Sequence, residues 1–246
     1  VRPALRIAIV GAESTGKTVL AQALAARLAA DTGLRVSWVP EWLRLWCQAQ
    51  GRTPRAQEQP AIARAQHERI DAAAQTHDIV VCDTTALMTA AYSRLVFGDR
   101  SLDDTAATLH QDMALTLLTA LDLPWVPDPL RDGPRVRAEV DAHLRDLMLS
   151  RRLPWALVAG QGEDRVESAL AAAGPVLERQ TGLAPARRAG LFSRLTRHAD
   201  DAGDAAAPPA WVCDCCAWPP GEQAELARQA QRRPPRALPD HAGSPG

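Results

Sequence analysis

Residues 5–18 read Leu5-Arg-Ile-Ala-Ile-Val10, then Gly11-Ala-Glu-Ser-Thr-Gly16-Lys17-Thr18. The first six are a near-continuous apolar run of the length and composition of a buried strand. The next eight match G-x-x-x-x-G-K-[ST] at every position, and an Ala- and Leu-rich helical stretch, Lys17 to Ala30, follows. A glycine-rich turn between a strand and a helix N-terminus wraps phosphate oxygens with backbone N–H groups, and the helix end adds a partial positive charge. The glycines permit backbone geometry and close approach that a Cβ would obstruct. Lys17 is expected to reach the β- and γ-phosphates, and Thr18 to offer its hydroxyl to Mg²⁺. The expected ATP-binding residues are Gly11, Ala12, Glu13, Ser14, Thr15, Gly16, Lys17, Thr18 and Val19.

Working outward, short apolar runs alternate with helical patterns. Strands are expected at 35–39, 78–82, 113–119 and 155–159. Helices are expected at 41–50, 55–76 (interrupted by Pro60), 84–97, 136–151 and 164–173. Strands buried on both faces and separated by helices predict an α/β three-layer sandwich around a parallel five-stranded sheet. Residues 1–173 are the expected nucleotide-binding domain. The 73 residues from Gly174 hold 10 of the 19 prolines and 7 of the 15 glycines. They read as a C-terminal extension, 174–246, that is partly disordered.

Composition narrows the classes. The chain has 246 residues, 46% hydrophobic and 23% charged, with a formal net charge of -1. No overall basic field points to nucleic acid or to a membrane surface. The longest apolar stretches fall short of the roughly 20 residues of a membrane span, and Val1–Val10 lacks the pattern of a signal peptide. Five cysteines in so long a chain suit a reducing cytosol better than a disulfide scaffold, so a cytoplasmic location is expected. Cys213, Cys215 and Cys216 include one Cys-x-x-Cys spacing, but no second pair follows, so a degenerate tail is favoured over zinc. Of 28 Lys and Arg residues only Lys17 is lysine. That lone ammonium stands where a compact charge meets phosphate.

Four further segments bear on chemistry. Asp83 ends the apolar run Ile79-Val-Val-Cys82 and is placed to share a metal ion with Thr18. Glu41, just beyond the second strand, lies where ligands of parallel sheets bind. It could take the proton of an attacking hydroxyl. It would equally suit a helix N-terminus with Arg44 as an i+3 surface partner, and the residues alone leave both open. Trp125-Val-Pro-Asp128-Pro-Leu-Arg131 precedes Arg135 and Arg137 in a Pro/Gly-punctuated loop that suits a lid, with Arg131 on the transferring phosphoryl group. A solvated turn is the alternative, above all for Arg137. Trp42, Trp46 and Trp125 fall near strand ends on the ligand side, where aromatic faces can hold a cationic ring. Core packing is the favoured role for Trp46.

In order and spacing, the phosphate loop, Glu41-Trp-Leu-Arg44, Asp83-Thr84 and Trp125-Val-Pro-Asp128-Pro-Leu-Arg131 resemble the ribosylnicotinamide kinase domain of NadR-type bifunctional NAD-biosynthesis proteins. The resemblance covers about residues 5–170. It implies strand order 2-3-1-4-5 and transfer of the ATP γ-phosphate to the 5′-hydroxyl of nicotinamide riboside. By the same resemblance Lys17, Glu41, Asp83 and Arg131 would be catalytic. Glu41, Trp42, Arg44, Thr84, Trp125 and Asp128 would meet the substrate. Two positions depart from the family pattern: Leu45 replaces a glutamate, and Thr85 replaces the second aspartate after the third strand. No His-x-Gly-His nucleotidylyltransferase segment occurs in these residues. Two other readings stay open: an ATPase-like regulatory module whose tail meets a protein partner, and a kinase of another nucleoside or small alcohol.

Overall fold

In the computed structural model, residues 3–126 and 136–183 are described. Five parallel strands form one sheet: β1 (Leu5–Val10), β2 (Val36–Val39), β3 (Ile79–Asp83), β4 (Leu115–Thr119) and β5 (Trp155–Val158). Their order across the sheet is β2-β3-β1-β4-β5, as expected. Strand β1 pairs with β3 through Leu5↔Ile79 to Ile9↔Asp83, and with β4 through Ile7↔Leu115 to Val10↔Leu118. Chain direction across the sheet therefore switches beside β1. The crevice outside the strand ends opens there.

Among the described residues, seven helices flank the sheet: α1 (Lys17–Thr32), α2 (Trp42–Gln50), α3 (Gln59–Ala74), α4 (Ala86–Phe97), α5 (Asp103–His110), α6 (Val136–Ser150) and α7 (Gly162–Thr181). The pleat of β1 explains the two layers. Leu5, Ile7 and Ile9 pack with Leu20, Leu24 and Leu28 of α1 and with Val166, Leu170 and Leu177 of α7. Val10, on the other face, packs with Leu87 and Met88 of α4 and with Val140 and Leu144 of α6. Ala8 packs with Val80, Cys82 and Ile70. Alternate residues of one run thus enter opposite cores, so the run reads as continuously apolar.

Three elements differ from the sequence expectation. Pro60 does not interrupt a long helix; it sits in the first turn of α3, after a 3-10 turn at Ala56–Glu58. Its missing N–H costs nothing there. Helix α5 was not expected. It is short, and only Asp103, Ala106, Ala107 and His110 are buried, so no apolar stripe announces it. Helix α7 runs on through Gly174 and Pro175 to Thr181. Ala169, Leu170, Ala173 and Leu177 keep helical spacing against the core across the breaker pair, and packing overrides propensity. The division expected after Ala173 therefore falls inside a helix. Asp128, Arg131, Arg135 and the cysteines 213, 215 and 216 lie outside the described residues. No helix among the described residues is long and apolar enough to cross a membrane.

Candidate functional site

The phosphate loop is fixed by its neighbours. Gly11 has φ +149°, and a Cβ there would lie 2.0 Å from Thr119 Oγ1, so β4 can approach only a glycine. Gly16 caps α1 at φ +74°, the left-handed region, with Leu123 pressed against it. Within the loop the Thr15 hydroxyl donates to the Ala12 carbonyl at 2.7 Å, and the Thr119 hydroxyl donates to Thr15 Oγ1 at 2.7 Å. Ser14, at φ +54°, exchanges side-chain hydrogen bonds with the backbone of Val126, its hydroxyl donating to the carbonyl and accepting from the N–H. The root of the segment after β4 is thereby tied to the loop.

Arg165 of α7 braces the loop from behind. It is 3% exposed. Its guanidinium donates to the carbonyls of Thr15 (2.9 Å) and Gly160 (2.8 Å) and pairs with Asp122. Asp122 in turn accepts from the Gly160 N–H at 2.7 Å. One arginine thus joins the loop, the end of β4 and the β5–α7 turn.

On the open side, Lys17 Nζ donates to the Ala12 carbonyl at 2.9 Å. Burial lowers its pKa, while the Glu41, Asp83 and Glu13 carboxylates pull the other way. The Thr18 hydroxyl donates to Asp83 Oδ2 at 2.6 Å. Asp83 Oδ1 is buried with no protein partner. Burial pushes the Asp83 carboxyl up from its ordinary range, against the pull of the Thr18 hydroxyl and Lys17. A buried carboxylate oxygen left open beside a hydroxyl is hard-oxygen chemistry, and it fits Mg²⁺.

The loop forms one end of a cavity of about 380 Å³. Glu41 and Arg44 also line it, with Leu43, Cys47, Pro54, Gln59, Tyr92, Val96 and Phe97. Glu41 is the N-cap of α2 and its side chain is 17% exposed. Burial raises its pKa, Lys17 opposes that rise, and Asp83 adds to it. Arg44 stands 4.0 Å from Glu41, so the i+3 pair exists, and both residues line the cavity.

Gln66 holds Glu41 near Asp83. This α3 side chain, 2% exposed, accepts from the Trp42 N–H at 2.6 Å. Its amide N–H groups reach the carbonyls of Pro40 (3.5 Å) and Thr84 (3.4 Å). The turn carrying Glu41 and the turn following Asp83 share one side chain.

Several expected contacts are not brought together. The described cavity wall does not include Trp42, Thr84 or Trp125. Arg69 lies over the Trp42 ring at 4.6 Å, so a protein cation occupies one face of a ring expected to meet a ligand; Arg52 lies over Trp46, for which core packing was favoured, at 4.9 Å. Thr84 is buried at φ +69°, its N–H donating to the Ile9 carbonyl. Thr85 caps α4, and its hydroxyl meets His110 Nδ1 at 2.9 Å; His110 Nε2 meets Thr116 Oγ1 at 2.6 Å. Where a carboxylate was missed, a buried hydroxyl–imidazole–hydroxyl chain stands instead. Sequence reading missed Gln59, Gln66, His110 and Arg165. One signal was present: Gln59 and Gln66 share the stripe Gln59, Ile62, Ala63, Gln66, Ile70, where polar residues interrupt an apolar helix face.

The strand order, the glycine loop on β1 and the aspartate ending β3 define a P-loop nucleotide-binding α/β protein. Residues 6–165 match the family model described as AAA domain, and the chain belongs to that family. Among solved structures it is similar to the crystal structure of NadR protein in complex with NAD and AMP-PNP. There the identity is 18% and the TM-score 0.58, over 75% of this chain and 52% of that one. It is also similar to NadR protein in complex with NR, at 19% identity and TM-score 0.57, over 75% and 53%. The chain spans about half the length of those NadR chains. At these identities the likeness is one of fold. No curated protein matches the chain.

Proposed function

We propose that this protein is an ATP-dependent kinase that transfers the γ-phosphoryl group to the 5′-hydroxyl of nicotinamide riboside, a step of NAD salvage. One observation carries the reading. A single cavity is lined by Lys17 and Thr18 of the phosphate loop, by a shielded carboxylate, Glu41, and by apolar and aromatic side chains. A protein that only hydrolyses or senses nucleotide needs no such acceptor chamber. The solved NadR structures similar in fold bind AMP-PNP and NR, and this supports the nucleotide and acceptor classes.

In this reading the loop N–H groups and Lys17 bind the phosphate oxygens. Lys17 turns from the Ala12 carbonyl to the ligand, exchanging one acceptor for a charged one. Thr18 and Asp83 would hold Mg²⁺, which supplies charge neutralisation at the β- and γ-phosphates when bound. Glu41 orients the 5′-hydroxyl and accepts its proton as the oxygen attacks. A carboxyl raised by burial is a stronger base than an ordinary one, which suits that duty. Arg131 and Asp128 retain their proposed places on the phosphoryl group and the acceptor.

The test is ADP release with MgATP across a panel of nucleosides and small alcohols. Acceleration by nicotinamide riboside, abolished in Lys17→Ala, is expected. Slow hydrolysis indifferent to every acceptor would reject the kinase reading in favour of a regulatory ATPase.

A further inference from the structure

Among the side chains lining the cavity, Gln59 has a buried polar atom that the chemistry above does not use. Gln59, at the start of α3, is 3% exposed and lines the cavity. Its Oε1 is buried without a hydrogen-bond partner. An amide oxygen left open this way costs free energy in the empty protein, and a ligand donor that satisfies it recovers that cost. Phosphates carry no donors at neutral pH, so the triphosphate held by the loop gains nothing from this oxygen. The acceptor hydroxyl already has Glu41. The same cavity is lined by Leu43, Cys47, Pro54, Tyr92 and Phe97, which are apolar or aromatic, and by Thr53 and Arg44.

We infer that Gln59 is the specificity-determining residue of the acceptor site, its side-chain oxygen taking an N–H from the planar head group of the acceptor. The ligand class is a nucleoside whose ring carries a neutral N–H donor, such as a carboxamide, and sits against apolar walls. A carboxylate at that place would set two acceptors against each other in a cavity that Glu41 also lines. A methyl ketone would leave Oε1 buried and open. Sites built around a hydrogen bond discriminate strongly against ligands that lack it, because the protein group is then stranded. This inference rests on the kinase reading above and specifies what its acceptor site selects.

The test uses the full chain, MgATP and three ribosides of one shape: nicotinamide riboside, 3-acetylpyridine riboside, which has no N–H, and nicotinic acid riboside. Wild type should favour the carboxamide over the methyl ketone by roughly tenfold or more in kcat/KM, mainly through KM. Gln59→Met keeps side-chain volume and removes the acceptor. It should bring that ratio close to one, chiefly by weakening the carboxamide, with KM for ATP unchanged. Gln59→Leu repeats the measurement should the methionine variant fold poorly. Turnover with the same ratio in wild type and both variants overturns the inference and leaves the kinase reading standing. A wild type inert toward all three ribosides, but active on another acceptor or none, overturns the nicotinamide riboside reading and this inference with it.

Discussion

Replacing Arg165 by leucine tests how the phosphate loop is held. The change deletes two hydrogen bonds to backbone carbonyls, of Thr15 and Gly160, and the ion pair with Asp122. Breaking a fully buried pair costs about 3–5 kcal/mol. The Asp122 side chain keeps 33% exposure and can rehydrate, which places the loss near the low end of that range. The carbonyls of Thr15 and Gly160 lose their arginine partner and add to the cost. A net loss of about 3 kcal/mol would lower Tm by roughly 6–12 °C in a chain of this size. A second effect should accompany it. With Thr15 no longer anchored, the loop N–H groups lose alignment, and affinity for a non-hydrolysable ATP analogue should fall roughly tenfold, an effect of about 1.4 kcal/mol. Acceptor KM should hardly move, because Glu41 is fixed through Gln66 rather than Arg165. Thermal melts and titration calorimetry on Arg165→Leu and Arg165→Lys measure both effects. A lowered Tm with unchanged nucleotide affinity would refute the anchoring argument, and an unchanged Tm would refute the energetic one.

Glu41→Gln should lower kcat by roughly 10²–10⁴ while ATP affinity stays within a few-fold, since proton acceptance is lost and the phosphate loop is untouched; equal turnover in steady-state assays would reject Glu41 as the base. Gln66→Leu strands the Trp42 N–H and frees the Glu41 turn, so kcat should fall with little change in KM for ATP, and a change confined to Tm would assign Gln66 to stability alone. His110 is buried and its pKa is pushed down to about 3 from 6.5, burial first and the nearby His67 second. The unfolded chain therefore binds the extra proton first, and stability is fully present above about pH 6.5 and declines as pH falls toward 3. Urea melts from pH 7 to 4 should show a shallower decline in His110→Gln than in wild type, and parallel slopes would contradict this. Ending the chain after Leu183 should preserve the melting transition, whereas ending it after Ala173 removes fully buried Leu177 and should cost at least the 2–5 kcal/mol of a large core deletion.

These outcomes bear on what a sequence can and cannot disclose. The strand–loop–helix at 5–32 was legible because every requirement is local: an apolar run, glycines where φ is positive, and a helix behind them. Sheet order followed from family resemblance, not from periodicity, because strand neighbours are set by tertiary packing. Helix α7 misled because Gly174-Pro175 is a local breaker, while Leu177 continues a contact that only the folded sheet reveals. Trp42 and Trp46 show the same limit for the site. Their ring chemistry was legible, but Arg69 and Arg52, which lie over those rings, come from other turns of the chain. Gln59, Gln66 and Arg165 are unremarked as residue types. Their roles arise only where burial leaves an amide oxygen open, or where one side chain meets two loops.

The central claim is that the phosphate loop and Glu41 serve one transfer within one cavity. Single-turnover product analysis by ³¹P NMR, with MgATP and nicotinamide riboside, tests it most directly. The account predicts one equivalent of riboside 5′-phosphate for each equivalent of ADP, with formation strongly slowed in Glu41→Gln. ADP accompanied by inorganic phosphate and no phosphorylated riboside would contradict it.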